Sequence, residues 1–439
     1  MRLIKKYLTA ALIAVCLSGV SAQAAPPVQE VKWRDLSAWL VSDDSLPLLT
    51  IEMSWQGGTA GEVKPGLTML MARLMNEGAG DMDGQTFQKA LGDKAISLSF
   101  DAGHDYVTAR LRCLTRYRAS CLLLLKQALH HPRFDENAIA RMKAEQEAAQ
   151  RSAQQSPRGL ASEAFQKLAY PQHNYGRSKN GTTTGLAAIT RSDIVARHSA
   201  IYARDNLKLA MVGDISRAEA RRLMRDVFGA LPAKSTVPPH NDVLATAGPK
   251  TKHIERAGPQ TTLLFGHQGI GYDHELFFPA FVMNSILGGS GFSSRLTEEV
   301  REARGLAYSV YSYWSVSRHG ASWRGSVATD NKATQEALDV IRAEMVRMAK
   351  EGVSESRLKA AKTYLTGAYA LRFDSGKKIA GQLIGLQEMG RPISYLRDRN
   401  RAIEAVTQNN IKRAAELLTA DGLLVISVGR TAITLAPLN

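Results

Sequence analysis

Beyond its first 20 residues, this 439-residue chain has no long apolar run, and it contains only three cysteines. Nothing after residue 20 approaches about 18 uninterrupted apolar residues, which excludes a transmembrane helix from the body of the chain. No glycine-rich stretch follows a strand and ends in GK[ST], so a nucleotide-phosphate loop is excluded as well. Histidine is present ten times but never as a pair four residues apart. His130 and His131 are adjacent and diverge on a helix, His267 and His274 flank a glycine loop, and Glu275 has no second histidine four residues beyond His274. The chain therefore lacks a helical histidine pair for a metal.

At 44% hydrophobic residues, the chain is long enough to build two or more cores. Its first residues read as an export leader: Arg2, Lys5 and Lys6 precede the apolar run from Tyr7 to Val20, and Ala22-Gln23-Ala24 supplies small residues for cleavage. Val15 before Cys16 does not fit a lipoprotein signal. Residues 1–24 are thus the expected signal peptide, and the mature protein is expected to be exported, periplasmic in a Gram-negative source. The formal charge of +15 loses the leader's 3 cations and becomes +12. Lysines and arginines, as in Arg217 to Arg225, form no aromatic-laced cluster in the sequence, so nucleic acid is not an expected partner; acidic partners or lipid headgroups suit such a surface better. Cys113 and Cys121 remain, and the spacing leaves open either a bridge closing a small loop or two apolar fillers.

In the first half, Ala38 to Val41 and Leu46 to Trp55 read as a hairpin across Ser42 to Ser45. A helix over residues 66–77 follows, with Leu67, Leu70, Met71 and Leu74 as one buried stripe and Met69 and Arg73 on another face. A second short helix, two alternating strands (Ile96 to Asp101 and Tyr106 to Cys113), an apolar-faced helix and a long charged helix complete the pattern. Residues 231–250 carry four of the fifteen prolines and no periodicity, and read as a linker. The order then repeats: strand, two helices, two strands, helix, charged helix. Arg141 and Arg357 occupy matching words 216 residues apart. The repetition predicts an α+β protein of two homologous domains, residues 25–230 and 251–439, each a mostly antiparallel sheet packed with helices.

Five words in this order, LPLLTIEMSWQGGTAGE, FDENAIARMKAEQEAAQ, LASEAFQKLAYPQHNYGRSKNGT, NLKLAMVGDIS and LGGSGFSSRLTEEVREARGLAYSV, resemble the pitrilysin/insulinase-type metallopeptidases. The likeness is to bacterial half-size members and to the zinc-free subunit of processing-peptidase-like heterodimers. The resemblance covers most of the mature chain and implies two α/β-sandwich domains forming half of a clamshell, closed by a second subunit around a peptide. Active members carry HxxEH on the first helix, two histidines for zinc and a glutamate to activate water. The matching positions here are Met69, Ala72 and Arg73, and the family's third ligand aligns with Ala149, with Glu145 and Glu147 close by. A thioether, a methyl group and a permanent cation cannot assemble a zinc site.

The resemblance also implies that Arg301 and Tyr308 hold a peptide carbonyl and stabilise its oxyanion, both pointing into one cavity. Read without it, they are equally a helix-terminal arginine favourable with the dipole and a core tyrosine in a strand. Gly288, Gly289 and Gly291, in LGGSGFSS, match a loop associated with substrate capture, or form a plain helix connector. The reading is division of labour: a chain that binds no cofactor and is not expected to hydrolyse peptides alone, paired with a homologous HxxEH subunit that carries zinc and acting on peptide or unfolded polypeptide. A non-enzymatic peptide-binding or scaffold protein is the alternative. A self-sufficient zinc protease would need ligands that the sequence does not supply.

Overall fold

The computed structural model describes residues 26–246, 248–289 and 294–436; the expected leader and Gly291 lie outside them. The first half contains strands β1 (Gln29–Trp33), β2 (Leu36–Ser42), β3 (Leu48–Gln56), the small ribbon β4 (Gly78–Ala79) and β5 (Met82–Asp83), β6 (Ser97–Ala102), β7 (Tyr106–Leu114) and β8 (Leu207–Gly213). The second contains β9 (Lys250–Glu255), β10 (Gln260–Gln268), β11 (Ala307–Val316), β12 (Ala321–Asp330) and β13 (Leu424–Gly429). The first sheet runs β1-β2-β8-β3-β7-β6, the second β11-β12-β10-β13-β9. Apart from β1, the two orders are the same list of equivalent strands, with one parallel pair each, β2 with β8 and β9 with β13. The fold is α+β, with helices packed on both sheets.

The expected hairpin between β2 and β3 does not form, because β8 lies between them, parallel to β2 and antiparallel to β3. Turn residues at 42–45 dictate a reversal but not the neighbour, and β8, LKLAMVG, is apolar enough to take a place buried on both faces. The hairpin that does form joins β1 and β2 through Arg34 and Asp35, with Arg34 at φ 50°. Beyond Leu371 lie helices Gly376–Glu388, Tyr395–Glu404 and Gln408–Ala415 and strand β13, none of which the sequence reading assigns.

Each half has its own core. Leu49, Ile51, Met53 and Trp55 of β3 face the helices of the first half, and Leu263, Phe265, Trp323 and Val327 face those of the second. The other face of each sheet is covered by a helix from the opposite half. Helix Pro157–Ala169 lays Ala161, Ala164, Phe165 and Ala169 on Leu424, Ile426 and Val428 of the second sheet. Helix Gly376–Glu388 lays Ile379, Ala380, Leu383 and Ile384 on Trp39, Val41, Ala210 and Val212 of the first. Burying each large apolar side chain contributes roughly 1.5–3 kcal/mol, so this exchange ties the halves together more firmly than surface polar contacts can. Phe165 lies flat on β10 because position 266 is glycine: a Cβ there would stand 2.6 Å from the ring. The Arg324 guanidinium sits 4.9 Å from the same ring's centroid.

Residues 231–249 contain no regular element, yet Thr236 N donates to the Ala200 carbonyl, Val243 N to His319 and Thr246 N to Ala169. At the junction, Asp105 accepts from the Tyr175 hydroxyl at 2.5 Å and from Arg318 N at 2.9 Å, and Arg318 Nη1 reaches the Tyr106 hydroxyl at 3.2 Å. Cys113 and Cys121 are both free thiols, buried in the first core. Contact with Cys113, reinforced by burial, raises the Cys121 pKa, so that thiol is inert. No described helix is long and apolar enough to cross a membrane.

Leu383→Ala and Phe165→Ala are each expected to destabilise the protein by about 2–5 kcal/mol, read as a lower urea midpoint. Because each residue joins the two halves, its loss should also weaken their coupling and broaden the transition, read as a lower m value. Burial holds His104 and His198 at pKa about 4, below the ordinary imidazole value of 6.5. The unfolded chain therefore takes up protons that the folded chain refuses as pH falls from about 6.5 to 4. Urea midpoints should be flat above pH 7 and drop across that window, and a smaller drop in His198→Gln identifies its share.

Candidate functional site

The helix that would carry zinc ligands, Leu67–Leu74, is buried nearly all round: Leu67, Thr68, Met69, Leu70, Met71, Ala72 and Leu74 are all inside. The single stripe expected from periodicity is thus too narrow, since Met69 and Ala72 join the core as well, and only Arg73 reaches the half-buried margin. Helix Glu136–Gln155 and helix Arg191–Ile201 pack against it. Ala149 on the former is half-buried, while Gln146, three residues earlier, is fully buried and donates to the carbonyls of Gly66 and Asn180, each at 3.0 Å.

Glu62 secures the start of the zinc-helix equivalent, accepting from Gly66 N at 2.6 Å and Thr68 N at 2.8 Å. Burial raises the Glu62 pKa, and these backbone donors oppose the rise. Arg197 is 8% exposed and donates to Thr68 Oγ1 and to the Gly57 and Gly58 carbonyls. Glu62, Arg197 and Gln146 Nε2 are thereby committed within this helix and its flanking backbone, and the buried oxygen left over, Gln146 Oε1, is a single neutral acceptor that makes no metal site. Among the described residues, no three His, Cys, Asp or Glu side chains converge as metal ligands.

In the second half, Arg301 and Tyr308 are brought together. Arg301 lies on the π-helical turn Thr297–Glu302, and its guanidinium stands 5.3 Å from the centroid of the Tyr308 ring. Gly305 N bonds the Arg301 carbonyl at 3.0 Å and Leu306 N the Val300 carbonyl at 2.8 Å, ending the turn where the sequence predicted. Tyr308 falls in a bulge of β11, where the register slips between Ala307 and Val310. Tyr308 is 86% exposed and so is not a core tyrosine, while Arg301 beside it is half-buried. From beneath, the Arg357–Glu298 and Arg304–Glu299 ion pairs fix the turn.

Gly288 has a packing role: its carbonyl accepts from Ser312 N of β11 at 2.6 Å, and a Cβ would lie 2.4 Å from Ser312 Oγ. At Gly289 a Cβ would lie 2.7 Å from Ser285 Cα. Both positions need glycine to bring the end of helix Phe277–Leu287 against the edge strand. Sequence reasoning missed a cavity beside them, lined by Phe281, Trp314, Tyr369 and Arg399; Arg399 stands on helix Tyr395–Glu404, beyond the last helix read from the sequence, and Tyr369 falls where that last helix, read as running to Leu371, has already ended at Gly367.

This geometry defines a duplicated α+β peptidase fold without its metal centre. A family model described as the peptidase M16 inactive domain matches residues 188–365. The non-peptidase homolog YmxG of Helicobacter pylori is 25% identical over 398 residues, 89% of this chain and 90% of that protein. An uncharacterized zinc protease YmxG of Bacillus subtilis is 26% identical over 280 residues, 62% of this chain and 65% of that protein. Among solved structures, a peptidase M16 inactive domain from Pseudomonas fluorescens superposes with TM-score 0.86 at 27% identity, covering 93% of this chain and all of that one. These likenesses, with Met69, Ala72 and Arg73 at the zinc-motif positions, support an inactive member of the pitrilysin-type family.

Purified chain dialysed against excess zinc should retain only substoichiometric metal by elemental analysis, because Met69, Ala72 and Arg73 offer no hard or imidazole ligand. Stoichiometric zinc that survives dialysis would overturn this reading.

Proposed function

We propose that this chain is the zinc-free, substrate-binding and activating subunit of an exported heterodimeric pitrilysin-family metallopeptidase, periplasmic in a Gram-negative source. The observation that carries the reading is the Arg301–Tyr308 pair, a half-buried cation against an exposed aromatic ring, on a turn braced by ion pairs. In the proposed complex, zinc and the general base come from the partner's HxxEH helix. Arg301 and the Tyr308 hydroxyl then donate to the peptide carbonyl as its oxygen gains charge. Gly288 and Gly289, packed closely on Ser312 and Ser285, would let the backbone of an extended peptide approach beside β11. Export rests on the leader chemistry of residues 1–24.

Reconstitution with a homologous HxxEH subunit tests this. The mixture should cleave peptides faster than the zinc subunit alone. Arg301→Ala and Tyr308→Phe should each lower kcat/KM, on the order of 10²-fold for the arginine, with the complex still formed by gel filtration. If the zinc subunit alone is fully active and neither substitution matters, the proposal fails. Extended-peptide binding by this chain without any zinc partner would then favour a peptide-binding scaffold.

A further inference from the structure

The second half contains a cavity that the Arg301–Tyr308 site does not use. It has two lobes, of about 360 and 190 Å³, which share Phe281, Trp314, Tyr369, Arg372 and Arg399. No aspartate or glutamate lines either lobe. Its walls are aromatic rings and its charge is two guanidiniums.

Arg399 is the informative residue. It is 7% exposed and lies 4.2 Å from the Tyr369 ring centroid and 5.5 Å from that of Phe281. Its Nη1 donates to the Leu365 carbonyl at 3.3 Å and to Asn400 Oδ1 at 2.9 Å. Among the described residues, no carboxylate comes within ion-pair distance of it, and neither Nε nor Nη2 makes a hydrogen bond. Burial lowers its pKa, and Arg372 opposes its charge further. Guanidinium nevertheless keeps its proton in proteins, so the fold holds a buried cation whose nearest charged neighbour has the same sign. Such a group is costly unless an anion completes it. Cation–π contact compensates in part but leaves the planar donor edge unoccupied.

We propose that this cavity binds the C-terminal residue of a peptide, taking its free carboxylate on Arg399 and Arg372 and an aromatic side chain among Phe281, Trp314 and Tyr369. Arg372 is exposed at the mouth, and Tyr313 and Tyr364, 42% and 54% exposed, leave room there for the chain preceding the terminus. The two lobes divide the tasks: the larger reaches Gly289 and the edge strand β11, and the smaller is enclosed by Phe277, Phe278 and Tyr395. A bidentate guanidinium–carboxylate contact supplies orientation, and the ring pocket supplies apolar burial. The proposal needs no zinc subunit and stands apart from the fate of Arg301 and Tyr308.

Calorimetric titration of the purified full chain tests it, with Trp314 fluorescence as a second readout. The probes are a tetrapeptide ending in phenylalanine, the same peptide amidated at its C-terminus, the same peptide ending in alanine, and free phenylalanine. The acid-terminated phenylalanine peptide should bind roughly 10–100-fold more tightly than its amide, the loss expected for a charge-assisted contact, and more tightly than the alanine peptide. Arg372→Gln, on the surface, and Arg399→Gln should each weaken the acid without affecting the amide. Should Arg399→Gln fail to fold, Arg372→Gln still decides. Equal binding of acid and amide, or none, overturns the proposal, and free phenylalanine binding as tightly as the peptide overturns the peptide terminus in favour of a small aromatic acid.

Discussion

The whole structure depends on one arrangement: each sheet is covered on one face by a helix that belongs to the other half. Helix Pro157–Ala169 and helix Gly376–Glu388 occupy equivalent places in the duplicated order and make equivalent crossings. This explains why β8 and β13 are apolar on both faces although each sits in a mostly antiparallel sheet. It also explains Ser54, fully buried on β3, which donates to Glu388 of the crossing helix at 2.5 Å. Its neighbour Glu52 is held instead by Arg110 of β7, within the same sheet.

Much of this was legible from the chain. The two-fold repetition and most of the strand and helix order through Leu371 follow from residue patterns, because duplication preserves order even where identity has faded; β1, the β4–β5 ribbon and β9 escaped them, and the positions of the absent zinc ligands came from the family resemblance. The pairing of β8 between β2 and β3 was not legible, since periodicity reports which face is apolar and says nothing of which strand lies alongside. The exchange of helices was hidden for the same reason: Phe165 and Leu383 read only as apolar positions. At the candidate site, spacing placed Arg301 and Tyr308 on a turn and a strand, but the bulge at 307–310, which turns Tyr308 outward, has no signature in REARGLAYSV.

The lost zinc helix shows how a catalytic element becomes a structural one. With Met69 and Ala72 in place of polar ligands, the helix no longer has to present a face to water, and it sinks into the core. Glu62, Arg197 and Gln146 then serve its backbone, whereas in a metal site such polar groups would orient ligands. The second half instead sets cationic groups against aromatic rings, Arg301 beside Tyr308 and Arg399 beside Tyr369 and Phe281.

The Asp105 junction has a mechanical corollary. The Tyr175 hydroxyl and Arg318 N meet on one carboxylate, so the turn between β11 and β12 is anchored to the first sheet at the same end where the linker bonds His319. Together with the two crossed helices, this carboxylate ties the halves at a third place, so any shift of one half against the other would have to break the Asp105 bonds and uncover both apolar crossings.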